Sequence, residues 1–570
     1  MSWRMSFRAD TPNTSRHMEK PARAAIIGAI IAALITLPGL GAGTLWDNSE
    51  TAYAEVAREI LLSHDWVVMH LDGQPWFVQP PLYFWIGALF AKALGITSFA
   101  FRLPAAIATI VMGAMTGYAV ARQAGTRVGI FASAVLSSCL MQAIIGRLAI
   151  MDALLDVAVA LTIFFWFRAL EAGRDRYFVY GWVAAAFGFL AKGPIALVAP
   201  ILVIGLYAFW NRRAEATRLP SWRAWIAGIL VASCIVAPWF VAIASTSGPG
   251  ALVELLGHYT IGRYTGVIEN QAGPLWYYLP VILLGFFPWI AFLPMAIVYG
   301  VRALKAEDTA PNIARLWRLA FAWIVMPLLF FSFARTKLPN YVALEFPALA
   351  LVTALYFEAA VRKGSSRSVV VSSLCVSLTI GLCAAAIAVF VRDNRLASSA
   401  LVLAPDLAIM GGSIFVGSIV TAVLFARREL MAWAPFGLSA AMLVAIDVLA
   451  VIALPQAEAF KPIPFFAATI RAGYENGDAI GIQSFRGSNA LLFYTMPPVY
   501  VLGLANGKHF FPWSLNPRDL ICAHDRVWLV APKKRPDFDP TYGRTRKLIE
   551  TNGSGALFLY SGPACNPVSP

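Results

Sequence analysis

Trp46-Asp47-Asn48-Ser49-Glu50, Tyr53-Ala54-Glu55, Arg58-Glu59, Asp65-Trp66 and Gln79-Pro80-Pro81 follow the first long apolar stretch of this 570-residue chain. Six acids (Asp47, Glu50, Glu55, Glu59, Asp65 and Asp72) fall within 26 residues, next to a candidate membrane span. Carboxylates beside a bilayer are unfavourable unless they face water, a metal or a substrate. Chemistry is therefore expected first in this loop.

The rest of the chain sets the loop's context. It is 59% hydrophobic and 13% charged, with a mean hydropathy of +0.67, against about 25% charged in a soluble domain. Apolar runs recur from Ala24 to Leu454, the signature of membrane-spanning helices. The net charge of +14 does not call for nucleic acid, because Lys and Arg gather in the cytoplasmic loops of membrane proteins. Residues 1–23 are polar and basic, and the run Ala24–Leu40 after them reads as an uncleaved first span with a cytoplasmic N-terminus.

The basic connections Arg122–Arg127, Arg174–Arg176, Arg212–Arg223, Arg302–Arg318, Arg362–Arg367 and Arg427–Arg428 belong on the cytoplasmic side. They alternate correctly only if the short segment 81–95, with Trp85 and Lys92, lies in the interface rather than crossing. Thirteen spans remain, residues 45–103 form one external loop with surface helices, and residues 1–454 form the membrane domain. The other external connections carry Arg147, Asp152, Lys192, His258, Arg263, Arg335, Lys337 and Tyr341. Positive charge on that side runs against the usual bias, and its expected use is to hold an anion at the membrane surface.

Beyond Leu454 the composition changes. Residues 455–570 read as a small α/β domain, with a helix at Pro464–Tyr474, strands at Ala479–Phe485, Val499–Leu502, Val527–Val530 and Ala556–Tyr560, and a second helix at Arg546–Thr551. Cys139, Cys234, Cys375 and Cys383 sit in apolar runs as packing residues. Cys522 and Cys565 flank tail strands, and in an oxidising compartment they are a candidate disulfide.

The loop string, ending in Pro80-Pro81-Leu82, resembles the first external loop of the integral-membrane, C-type (GT-C) glycosyltransferases. The particular relatives are the protein O-mannosyltransferase-like group and the aminoarabinose lipid A transferases. Gly146-Arg147 with Asp152, Ala191-Lys192-Gly193-Pro194, His258 with Arg263-Tyr264, Gly273-Pro274-Leu275-Trp276-Tyr277-Tyr278 and Lys337-Leu338-Pro339-Asn340-Tyr341 agree with that resemblance, in order, over about residues 24–350. It implies a polytopic α-helical membrane protein of the bacterial inner membrane with a C-terminal periplasmic α/β domain. It also implies an inverting glycosyltransferase that moves a sugar from a polyprenyl-phosphate carrier to a lipid, glycan or protein acceptor, with no nucleic acid involved.

The resemblance assigns roles. Lys192, Arg263, Tyr53, Lys337 and Tyr341 match positions at the donor and its phosphate, where cations stabilise the leaving group. Asp47, Glu50 and Asp152 are the candidate catalytic carboxylates, able to orient or deprotonate an acceptor hydroxyl. Asp152 has a plainer reading as a helix cap or a partner of Arg147. No nucleotide is needed for this chemistry. His258 matches a histidine that can hold zinc in relatives, which leaves room for a divalent metal, although one histidine is a poor metal site.

The chain also departs from the pattern. Ser49 stands where relatives carry an acid, Ala52 where an Arg precedes the tyrosine, and Val78-Gln79 where an acid–Lys pair precedes the double proline. The choice between Asp47 and Glu50 stays open. These departures sustain a second reading, a lipid-linked sugar binder or flippase without catalysis. No internal repeat or pair of broken helices points to a generic transporter.

Overall fold

The computed structural model describes residues 20–46, 49–212, 218–268, 270–364, 367–392, 401–483, 487–502, 515, 517–533, 544–553 and 555–562. Eight of the described helices are long and apolar enough to cross a membrane, and shorter apolar helices accompany them, Leu82–Leu94 included. The protein is a mostly helical, multi-pass membrane protein. Its residues cluster into two compact units, one of residues 1–40, 77–83 and 102–452, the other of residues 41–76, 84–101 and 453–570.

In the first unit α1 (Pro21–Thr36) packs against α5 (Thr126–Ser138). The contact runs through small residues: a side chain at Gly28 would meet Ser133 and the Gly113 carbonyl. Close backbone approach of this kind is how helices associate in lipid, where no hydrophobic driving force separates helix from solvent. The run expected to continue from 128 to 146 breaks at Cys139, whose backbone is extended, and resumes as α6 (Leu140–Ile145). The segment Pro339–Lys363 is buried along its whole apolar window and forms the centre of this unit. Its Phe357 meets Phe131 edge to face, and its Glu358 accepts hydrogen bonds from Arg127 Nε and Nη2 at 2.7 and 2.6 Å.

The helices α7 (Asp152–Ala172) and α8 (Asp175–Lys192) make a tight antiparallel hairpin. Gly173 closes α7 in the left-handed conformation (φ +60°), the usual C-terminal stop. Because α8 retraces α7 over nearly its full length, the last residue of α8 returns to the first residue of α7. A side chain on Gly181 would overlap Trp166, so the glycine lets the hairpin close on an aromatic cluster of Trp166, Phe178 and Trp182.

The second unit contains α2 (Ser49–Ser63), the hairpin of β1 (His70–Leu71) and β2 (Gln74–Pro75), α3 (Leu82–Leu94) and the tail. Within this unit α2 packs on the tail helix Ser488–Thr495. Five strands form one sheet in the order β4-β3-β5-β7-β6, with β3 (Ala479–Ile482), β4 (Val499–Val501), β5 (Arg526–Pro532), β6 (Thr545–Asn552) and β7 (Gly555–Ser561). The first three are parallel and the last two join antiparallel.

The expected helix at Arg546–Thr551 is thus β6. Its pairing with β7 across Gly553 outweighs a pattern that either structure accommodates. The expected helix near 464–474 is Pro462–Gly473. Cys139 is buried, but Cys234, Cys375 and Cys383 lie on exposed helix faces rather than in the core. Cys522 is disulfide-bonded; Cys565, its expected partner, lies outside the described residues.

Candidate active site

The α7–α8 hairpin brings Lys192 Nζ to 2.5 Å from Asp152 Oδ1. The same oxygen accepts a hydrogen bond from Asn340 Nδ2 at 2.6 Å. Asn340 and Tyr341 come from one 3-10 turn, Pro339–Glu345, and the Tyr341 ring centroid lies 5.5 Å from the Lys192 nitrogen. Phe331 backs that ring at 4.9 Å. Gly193 (φ +79°) turns the chain sharply after Lys192 and holds the ammonium at the helix end. Asp152 is 5% exposed, so its charge needs the partners it has. An ammonium has three donors, and among the described residues Lys192 donates one hydrogen bond, to Asp152.

Arg263 reaches this end of the unit by backbone pairing. The Arg335 and Thr336 amides donate to the Tyr264 and Arg263 carbonyls at 3.0 and 3.1 Å, and the Lys337 amide donates to Gln271 O at 2.8 Å. Thr336 Oγ1 adds a bond to Gly266 O at 2.8 Å. Residues 263–271 and 335–337 are therefore stitched together, with the Arg263 guanidinium 5.9 Å from the Tyr259 ring. His258 lies on a π-helical segment, Val253–Ile261, and is exposed. Among the described residues no group of three His, Cys, Asp or Glu side chains is arranged to hold a metal ion.

Two cations expected to bind an anion have other work. Lys337 Nζ donates to the carbonyls of Phe331, Ser332 and Ala334 at 3.2, 2.7 and 2.8 Å, and its side chain is 4% exposed. All three of its protons go to the frayed C-terminal end of the helix Pro311–Phe333, whose last carbonyls have no helical partners. Burial lowers its pKa below the usual lysine range. Arg147 likewise donates to the Pro38 carbonyl at 2.6 Å and to that of Ile35, closing α1, and pairs with Asp447 at 3.2 Å rather than with Asp152.

In the second unit Glu50 is 1% exposed and accepts the Trp46 amide at 2.7 Å, securing the entry to α2. Asp47 lies outside the described residues. Tyr53 packs edge-on against Trp76 and Phe84, at 6.3 and 5.8 Å. One turn further, Glu55 pairs with Arg58 at 2.5 Å, and both are buried. Burial first, and the neighbouring Glu59 charge, raise Glu55 to about 7 against the pull of Arg58. Asp72 is raised to about 6, by burial and by Glu55. The β1–β2 turn takes positive φ at Asp72 and Gly73, and the Gly73 amide donates to Glu59 at 3.2 Å.

The sequence reading named Asp152, Lys192 and Tyr341 separately, and the fold joins them. It missed Asn340, whose only signal was its place beside Tyr341 in the Lys337–Tyr341 string.

Comparison with known proteins bears on this arrangement. Residues 78–241 match the family described as dolichyl-phosphate-mannose-protein mannosyltransferase. The undecaprenyl phosphate-alpha-4-amino-4-deoxy-L-arabinose arabinosyl transferase of Aeromonas salmonicida is 30% identical over 68% of this chain and 68% of its own length. The second such transferase of Proteus mirabilis is 30% identical over 64% of this chain, and the match spans 65% of its length, just under two thirds. The crystal structure of ArnT from Cupriavidus metallidurans bound to undecaprenyl phosphate superposes with a TM-score of 0.76, covering 95% of this chain and 99% of that one at 21% identity, a likeness of fold.

Proposed function

This chain belongs to the family of the undecaprenyl phosphate-alpha-4-amino-4-deoxy-L-arabinose arabinosyl transferases, and on that premise we propose that it transfers a sugar from a polyprenyl-phosphate carrier to an acceptor. The observation that carries this reading is the meeting of Lys192 with Asp152, Asn340 and Tyr341 at one end of the α7–α8 hairpin. An acceptor nucleophile attacks the anomeric carbon, and the sugar–phosphate bond breaks with its electron pair on the phosphate. That phosphate leaves as a stable anion, so positive charge held where it leaves is the main requirement. Lys192 supplies that charge, with two donors beyond its bond to Asp152 among the described residues, and Arg263 is the second candidate. Lys337 drops out of the phosphate-binding set in this reading, because its three donors are committed to backbone carbonyls. A loop carboxylate, Asp47 or Glu50, orients or deprotonates an acceptor hydroxyl. No step is routed through a metal.

The sugar carried by the relatives' donor is 4-amino-4-deoxy-L-arabinose, and a polyprenyl phosphate bearing it is the first donor to try. The acceptor is a lipid, a lipopolysaccharide component or other glycan, or a protein, at the outer face of the inner membrane. The N-terminus is then cytoplasmic and the tail periplasmic, with thirteen spans; a reporter fused near Ser98 tests this, and a cytoplasmic signal there rejects it. The test of function is release of free polyprenyl phosphate from that donor by the purified chain in proteoliposomes with a lipid acceptor. Release supports the transferase. Saturable donor binding without release, across lipid, glycan and protein acceptors, supports the binder or flippase instead.

A further inference from the structure

We infer that Asn340 is a positioning residue for donor binding: by fixing the Asp152 carboxylate it decides where the Lys192 ammonium presents its remaining donors. This rests on the proposed role of Lys192 at the donor phosphate.

The geometry is specific. Asp152 Oδ1 receives both Lys192 Nζ at 2.5 Å and Asn340 Nδ2 at 2.6 Å. A carboxylate held only by a lysine is free to turn about its last torsion, and a lysine head on a four-carbon stem follows it. A second donor from a different segment removes that freedom. The Asn340 bond also draws on the acceptor strength of the oxygen that holds Lys192, so more of the ammonium's charge remains for an incoming anion. Asn340 adds no charge of its own to compete for the phosphate. The same 3-10 turn places the Tyr341 ring beside the ammonium, where a cation is favoured. One turn of backbone thus supplies both the second partner of Asp152 and the ring beside Lys192.

The test is the affinity of the full-length chain, in detergent, for undecaprenyl phosphate, measured between pH 5 and pH 8 for wild type, Asn340→Ala and Asn340→Asp. Asn340→Ala frees the Asp152 carboxylate to turn and with it the Lys192 head, and is expected to weaken binding by about tenfold, about 1.4 kcal/mol, at every pH. Asn340→Asp is nearly isosteric. Its introduced carboxyl donates one hydrogen bond while protonated, but when ionised it repels Asp152 and competes for Lys192. The ratio of its Kd to that of wild type should therefore rise as pH rises, a dependence that a purely structural role does not produce.

Wild-type affinity in Asn340→Ala, or a Kd ratio for Asn340→Asp that does not change with pH, overturns the positioning role alone. A wild-type chain that does not bind undecaprenyl phosphate overturns the donor reading and this inference with it.

Discussion

Lys192 ends one helix and Asp152 begins the one before it, and their charged tips lie 2.5 Å apart. The pair exists because α8 runs back along α7, not because the residues are near in sequence. Lys192→Ala should weaken undecaprenyl phosphate binding at least tenfold, about the contribution of one charge-assisted hydrogen bond, and should also lower the melting temperature, because buried Asp152 loses its counter-charge. Titration of the purified variant checks this, and unchanged affinity would remove Lys192 from the donor site.

Lys337 should behave in the opposite way. Its three carbonyl bonds hold the end of a membrane helix, so Lys337→Met should destabilise the protein by roughly 2–4 kcal/mol. The folded fraction should keep its affinity for undecaprenyl phosphate. Thermal unfolding followed by intrinsic fluorescence separates the two effects. A stable variant with lost affinity would return Lys337 to the phosphate.

The acids of the loop predict an unusual pH dependence. The carboxyls of Glu55 and Asp72 are raised, to about 7 and about 6, chiefly by burial. The folded state therefore binds protons more tightly than the unfolded state there. Their contribution to stability is complete below the ordinary carboxylate range and is lost as pH rises through 6 and 7. The second unit should unfold more easily at pH 8 than at pH 5, by roughly 3 kcal/mol, most of it from Glu55 because Asp72 is partly exposed and screened. Glu55→Gln should flatten that slope. Arg58→Leu should steepen it, because it leaves the Glu55 carboxylate buried and unpaired. Melting curves at the two pH values are the measurement, and parallel slopes in all three proteins would argue against the assignment.

The two candidate bases should separate. Glu50 is buried and tied to the Trp46 amide, so Glu50→Ala is expected to lower the melting temperature along with activity. If Asp47 is the general base, Asp47→Ala should reduce turnover by about a hundredfold to ten-thousandfold and leave the melting temperature in place. Normal polyprenyl phosphate release by both variants would exclude the loop from the chemistry.

Much of this was legible in the chain. Apolar run length located α8, α9 (Ile195–Trp210) and most other helices to within a few residues, because a helix in lipid must satisfy every backbone group internally and show an apolar surface. Short apolar runs of strand length marked four tail strands. The fifth was misread: Thr545–Asn552 offers no pattern that separates a helix from an edge strand until β7 is there to pair with it.

The site was half legible. Asp152, Lys192 and Tyr341 stand out as polar residues at the ends of apolar runs. That Lys337 and Arg147 cap helices could not be read, because a lysine beside a helix end looks the same whether its head turns back to the carbonyls or outward to a ligand. Asn340 was invisible for a related reason: it binds Asp152 across 188 residues of sequence.

Composition and run length alone determined a membrane protein with many helices, a polar tail, and charges at the helix ends, because the free energy of moving apolar and charged groups between water and lipid acts on each segment separately. Only the tertiary structure decided which charges meet. A hydrogen bond is fixed by distance and direction over about 3 Å, and those are set by how helices distant in sequence pack, through Gly173, Gly181 and Gly193 here, rather than by any property of the residues that form it.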